Sequence, residues 1–191
     1  TDCLKSAFDS LYSSDVKSSP HFVRMVSDKA FDRVSSYLEE GTVVYGAQTD
    51  ASQRFISPTI LEGVSDDARV MNEEIFGPVF PLKTVSSLSE ALDYIAERER
   101  PLALYYYGKN GNTVLRSSWS GGCCINDCIM HIANDNLPFG GVGNSGLGAY
   151  HGRLSFDAFS HKRSVVKTST LIDTPFRYMP YKTFKLVKKL L

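Results

Sequence analysis

The chain has 191 residues, 42% of them hydrophobic and 22% charged, which is enough length and apolar content for a cored globular domain and argues against disorder. Lys+Arg and Asp+Glu both total 21, so no chain-wide positive field exists to draw in nucleic acid. No apolar run reaches the ~18 residues of a membrane span, and residues 1–14, with Asp2, Lys5 and Asp9, do not read as a signal peptide.

In chain order, Ser27 is placed to cap a helix over 29–40 that carries Phe31, Val34 and Leu38 on one face, with Gly41 just past its end. A short β-branched strand over 42–45 and an alternating strand over 54–61 follow. Ser87 and Glu90 form a capping box before a helix over 91–97. Residues 102–107 read as a buried strand, and 123–125 and 164–168 as further strands. Strands alternating with helices predict an α/β fold: an open, mainly parallel sheet with flanking helices. Pro175 to Pro180 mark a departure from the compact body, so the domain is expected over 1–174 and a tail over 175–191. If helical, residues 182–191 place Phe184, Val187 and Leu191 at i, i+3 and i+7, with lysines mostly elsewhere. Such a basic amphipathic helix can lie on an anionic membrane surface or pack on a partner subunit. The start at Thr1, without methionine, points to a processed, cleaved or partly sequenced product.

The four cysteines are Cys3, Cys123, Cys124 and Cys128. Three crowded together do not form a spaced disulfide framework, which favours a reducing, cytoplasmic compartment. With His131 they mimic a Cys₃His zinc set. Adjacent residues of a strand point to opposite faces, so Cys123 and Cys124 cannot easily share one metal, and no metal site is expected. Residues 141–146 (Gly-Val-Gly-Asn-Ser-Gly) fit the dinucleotide pattern Gly-x-Gly-x-x-Gly. They follow Asn136-Leu137-Pro138-Phe139 rather than a buried strand, so the glycines are expected to shape a tight turn before a helix.

Three segments carry identity: Asn72-Glu73-Glu74-Ile75-Phe76-Gly77-Pro78-Val79, Pro101-Leu102-Ala103-Leu104-Tyr105, and Leu137-Pro138-Phe139-Gly140-Gly141-Val142-Gly143-Asn144-Ser145-Gly146. In this order and spacing the chain resembles the aldehyde dehydrogenase superfamily. The glycine-rich wording and the following Ala149-Tyr150-His151-Gly152 resemble its class 3, fatty-aldehyde branch. The resemblance implies an NAD- or NADP-dependent oxidation of aldehydes to carboxylic acids. A cysteine thiolate would attack the aldehyde, hydride would leave to the cofactor, and a glutamate-activated water would release the acid.

It also implies that the nucleophilic cysteine, the base and the oxyanion asparagine lie upstream of Thr1. The chain then corresponds to most of the catalytic domain, has no catalytic residue of its own, and needs the N-terminal portion for activity. Cys3 lies in the helix matched by residues 1–12 and does not inherit the nucleophile's role. Glu74 would bind the ribose hydroxyls of NAD or NADP, for which two carboxylate oxygens are suited, or serve as a first-turn glutamate favoured by a helix dipole. Phe76 would pack near the nicotinamide, or serve as a core aromatic.

Phe139 would line the aldehyde tunnel, where an aromatic wall excludes water, and Asn126 would support the loop around the site. Each also reads as structural. Met130 and His131 fall where substrate pockets vary, though Met130 reads first as a core gap-filler. The strand at 163–168 would pair across a homodimer. The rival reading is a non-catalytic structural or interaction subunit derived from such an enzyme.

Overall fold

A computed structural model describes residues 1–173, 178–180 and 188–189, and the chain divides into two units, Thr1–Ala91 and Leu92–Leu191. In the first unit, helix α1 (Asp2–Tyr12) buries Phe8 against Tyr45 and Phe80. Ser27 caps α2 (Asp28–Ser36) by accepting the Ala30 amide at 3.1 Å. The expected helical run to residue 40 is completed by a 3-10 turn, Tyr37–Glu39. Gly41 is not left-handed: a Cβ there would stand 2.6 Å from Val64 Cγ2, so close packing explains the glycine.

The strand expected over 54–61 is broken. Arg54 turns into the left-handed region, and Pro58, which has no amide to donate, separates two short strands. Strand β1 is Thr42–Tyr45, β2 Thr49–Asp50, β3 Phe55–Ile56, β4 Thr59–Glu62 and β5 Val79–Pro81. β3 joins β2 antiparallel, while β4 sits between β1 (antiparallel) and β5 (parallel). The core gathers Phe31, Val34 and Tyr37 from α2 and its turn with Ile56, Leu61, Val70 and Val79. The short helix α3 (Arg69–Asn72) is fastened by Glu40, whose carboxylate accepts from the Val70 amide and Arg69 Nε.

Helix α4 (Leu88–Ala96) carries the chain across the division at Ala91. Its capping box is shifted: the Glu90 amide donates to Ser87 Oγ at 3.1 Å, but the Glu90 carboxylate accepts from Ser86 instead of Ser87. In the second unit β6 (Ala103–Tyr106) and β7 (Gly122–Ile125) pair in parallel with α5 (Gly111–Ser117) between them. β6 is half-buried, not buried as its apolar run predicts, because its described pairing is a two-stranded sheet with Tyr105 and the flanking Leu102 facing outward.

The α/β alternation is as expected. The described sheets hold antiparallel as well as parallel pairings, β1 with β4 and β2 with β3 being antiparallel. Helices α6 (Met130–Ala133) and α7 (Gly152–Ala158) flank the glycine-rich loop. No strand forms over 164–168, where Val165 and Val166 are 72% and 87% exposed. Apart from residues 178–180 and 188–189, the tail expected over 175–191 lies outside the described residues. Among the described residues no helix is long and apolar enough to cross a membrane.

Candidate functional site

Each unit carries its own group of candidate side chains. In the first, the segment 72–78 is fastened on its inner side. Asn72 Nδ2 donates to the Asp66 and Ala68 carbonyls, and the buried Tyr37 hydroxyl donates to Glu73 Oε2 at 2.5 Å. Arg33 reaches the Tyr37 oxygen at 2.6 Å, the Glu74 carbonyl at 3.0 Å and the Ile75 carbonyl at 2.9 Å. Arg33 and Tyr37 stand four residues apart, on one face of the helical run, which is why one guanidinium serves both the phenol and the loop. Burial and then the Glu73 carboxylate push the Tyr37 phenol above its ordinary value.

What remains outward is Glu74 and Phe76. The Glu74 side chain is exposed and makes no hydrogen bond or ion pair among the described residues, and it lies beyond α3 rather than in a helix's first turn. Phe76 is 78% exposed and held at φ 46°, a conformation that costs a bulky residue energy. It is therefore not a core aromatic of this unit. Its ring borders a groove of about 500 Å³ shared with Phe22, Met25, Ile56, Pro78 and Arg24.

In the second unit, Asn126 clamps a loop: its Oδ1 accepts from the Gly108 amide at 2.7 Å and its Nδ2 donates to the Gly108 carbonyl at 3.1 Å. Asn126 and Ile129 both have left-handed backbone, at φ 58° and 65°, and Ile129 leads into α6. Met130 is exposed and fills no core gap, whereas His131, on the next position, is buried. The His131 ring lies 5.8 Å from Tyr105 and 6.0 Å from Phe139. Phe139 pairs with Tyr150 through two 3.0 Å backbone bonds, stacks on His151 at 5.8 Å and meets the Tyr150 ring edge-on. His131 Nε2 and His151 Nδ1 are both buried without a hydrogen-bond partner among the described residues.

The glycine-rich loop has its own packing reason. A Cβ on Gly141 would stand 2.1 Å from the Ser145 carbonyl oxygen, and one on Gly140 2.1 Å from that of Gly148. The loop folds on its own backbone through a 3-10 turn, Gly143–Ser145.

The neighbouring cysteines of β7 differ in burial. Cys124 is buried with Sγ 3.4 Å from His131 Nδ1, and Cys128 is exposed. Burial, and then neighbouring Cys124, push the half-buried Cys123 thiol up. No described group of three or more His, Cys, Asp or Glu side chains is arranged to hold a metal ion.

Glu74 and Phe76 thus stand together in one unit, and Asn126, Met130, His131 and Phe139 in the other. Sequence reasoning passed over Arg33, Tyr37 and the Cys124–His131 contact. The four-residue spacing of Arg33 and Tyr37 was the one available signal.

The Aldehyde dehydrogenase family model matches residues 4–165. The chain is 40% identical over 191 residues to the 4,4'-diaponeurosporen-aldehyde dehydrogenase of Staphylococcus aureus, covering 97% of this chain and 42% of that protein. It is 46% identical over 182 residues to the dimeric NADP-preferring aldehyde dehydrogenase of Rattus norvegicus, covering 93% and 40%. The structure of the substrate-bound state of Staphylococcus aureus AldH aligns with a TM-score of 0.86 at 39% identity, covering 99% of this chain and 43% of that one. The chain therefore spans about two fifths of the length of these relatives. With the family model matched from residue 4 to residue 165, and the fold matched along 99% of the chain, this protein belongs to the aldehyde dehydrogenase family.

Proposed function

We propose that the chain is the C-terminal portion of an NAD(P)-dependent aldehyde dehydrogenase, of the fatty-aldehyde type, that oxidises aldehydes to carboxylic acids. The nucleophile and base are supplied by polypeptide outside the chain, and the chain alone has no turnover. The observation that carries this reading is the presentation of Glu74 and Phe76: an outward carboxylate and an outward ring on a loop that Arg33, Tyr37 and Glu73 fasten from behind.

These residues fit one end of a dinucleotide. A free carboxylate accepts two ribose hydroxyls, and the Phe76 ring beside an open groove offers a flat apolar face. Bound NAD(P) would supply the hydride acceptor. Phe139 excludes water along the aldehyde path, with Met130 and His131 beside it, and Asn126 holds the adjoining loop.

In this reading the protein is a cytoplasmic homodimer that pairs through 163–168, and its lysine-rich tail touches anionic membrane surfaces. The test measures NAD(P)H production with a medium-chain aldehyde, using the chain alone and the chain completed by the portion its relatives possess beyond the match. Turnover is expected only in the completed protein, and Glu74→Gln should raise KM for the cofactor about tenfold, the worth of one charged hydrogen bond. Turnover by the chain alone, or an unchanged cofactor KM in Glu74→Gln, overturns the reading.

A further inference from the structure

Gly122 and Cys124 lie two residues apart on β7, so their side-chain positions share a face of the strand. The His131 imidazole lies over that face. A Cβ on Gly122 would stand 2.3 Å from its Cδ2 and 2.7 Å from its Nε2, so the ring occupies the space that the missing side chain leaves. At its other end Nδ1 meets Cys124 Sγ at 3.4 Å, a contact in which either group can donate. Tyr105, opposite Cys124 in the strand register, stands 5.8 Å away, and Phe139 stands 6.0 Å away.

A ring nitrogen buried without a partner makes histidine a poor choice for simply filling space. The contact that a hydrocarbon side chain cannot reproduce is the one to Cys124. Phe139 is bounded by this imidazole and also by His151 and Tyr150, so a displacement of His131 is passed to Phe139.

We infer that Gly122 and Cys124 are positioning residues: they seat His131 as the spacer behind Phe139, and so set the width of aldehyde that the Phe139 wall admits. This rests on the dehydrogenase reading above and on Phe139 lying along the aldehyde path.

The experiment compares kcat and KM of the completed protein for propanal, which is narrow, and benzaldehyde, which is wide. Gly122→Ala drives the imidazole toward Phe139, and kcat/KM for benzaldehyde is expected to fall at least tenfold through KM, with propanal changed less than twofold. His131→Ala removes the ring and shifts preference the other way. Adding Gly122→Ala to His131→Ala then has no further effect, because the added methyl no longer meets a ring. Cys124→Ala, which loses the contact, is expected to change the benzaldehyde-to-propanal preference at least threefold, and Cys124→Ser to retain most of it.

An equal loss for both aldehydes in Gly122→Ala overturns the inference, as does a Gly122→Ala effect that persists without the His131 ring. Where Gly122→Ala does not fold, an unchanged preference in both His131→Ala and Cys124→Ala overturns it. Absence of turnover in the unsubstituted protein sinks the dehydrogenase reading itself, and the specificity role with it. Turnover with an unchanged preference sinks the specificity role alone.

Discussion

At Tyr37 a phenol, a guanidinium and a carboxylate meet beneath the loop that presents Glu74 and Phe76. Removing the hydroxyl in Tyr37→Phe keeps the buried ring but takes a hydrogen-bond partner from both Arg33 and Glu73, leaving their 3.9 Å ion pair and the Arg33 bonds to the Glu74 and Ile75 carbonyls. Hydrogen bonds to charged groups contribute about 1.5–3 kcal/mol, so denaturant unfolding should register a loss of that order. The same variant has a pH signature. The phenol's folded pKa is raised above its ordinary 10.0 by burial and Glu73, so its contribution is full below pH 10 and is lost as pH rises through the folded value. Above pH 10 the wild-type midpoint should fall more steeply than that of Tyr37→Phe, and parallel curves would refute the assignment. The two glutamates of the motif illustrate what chain order leaves open. Glu73 and Glu74 are chemically identical neighbours, and the placement of Tyr37 and Arg33 makes Glu73 the fastener, while the Glu74 side chain has no hydrogen bond or ion pair among the described residues.

Among the elements, the loop between Phe139 and α7 shows two kinds of glycine. Gly141 lies against the Ser145 carbonyl with no room for a methyl, whereas Gly143 sits at φ 66° with nothing within 4 Å of its absent Cβ. Gly141→Ala must move backbone, an overpacking cost of about 1–3 kcal/mol. Gly143→Ala meets only the left-handed penalty, about 1–2 kcal/mol. Thermal unfolding should therefore rank Gly141→Ala as the more damaging, and equal midpoints would contradict the packing argument.

The β2–β3 hairpin has a different dependence. Asp50 is held at about 2, below its ordinary 3.8, by hydrogen bonds from Lys17 and then Ser52. A depressed carboxylate contributes stability that is present above its unfolded value and lost as pH falls through the folded one. The stability difference between wild type and Asp50→Asn should be constant above pH 5 and shrink between about pH 4 and pH 2. A difference that persists at pH 2 would exclude the ion pair as its source. The run 54–61 marks where pattern reading failed: its alternation is real, but the left-handed Arg54 and the break at Pro58 send its halves to separate sheets.

On the scale of the whole molecule, the chain's net charge of zero hides a lysine-rich end, with Lys182, Lys185, Lys188 and Lys189 following the described body. Each lysine near an anionic surface contributes roughly 1 kcal/mol, so weak binding to anionic vesicles is expected, reduced by salt and abolished by deleting residues 175–191. Equal binding to neutral vesicles, or no change on deletion, would remove the tail from that role.

The sequence by itself determined the family, because the motifs at 72–79 and 137–146 are long, ordered and specific. It also determined the helices whose caps and apolar periodicity lie within one short segment, such as the one begun by Ser27. Local chemistry suffices there, since a cap and the amide it satisfies are three residues apart. Only the tertiary structure decided which glutamate the Tyr37 hydroxyl meets, that Phe76 is exposed, and that Cys124 meets His131. Each of those outcomes depends on a neighbour brought in from another element, and the distance to such a neighbour is set by packing rather than by position in the chain.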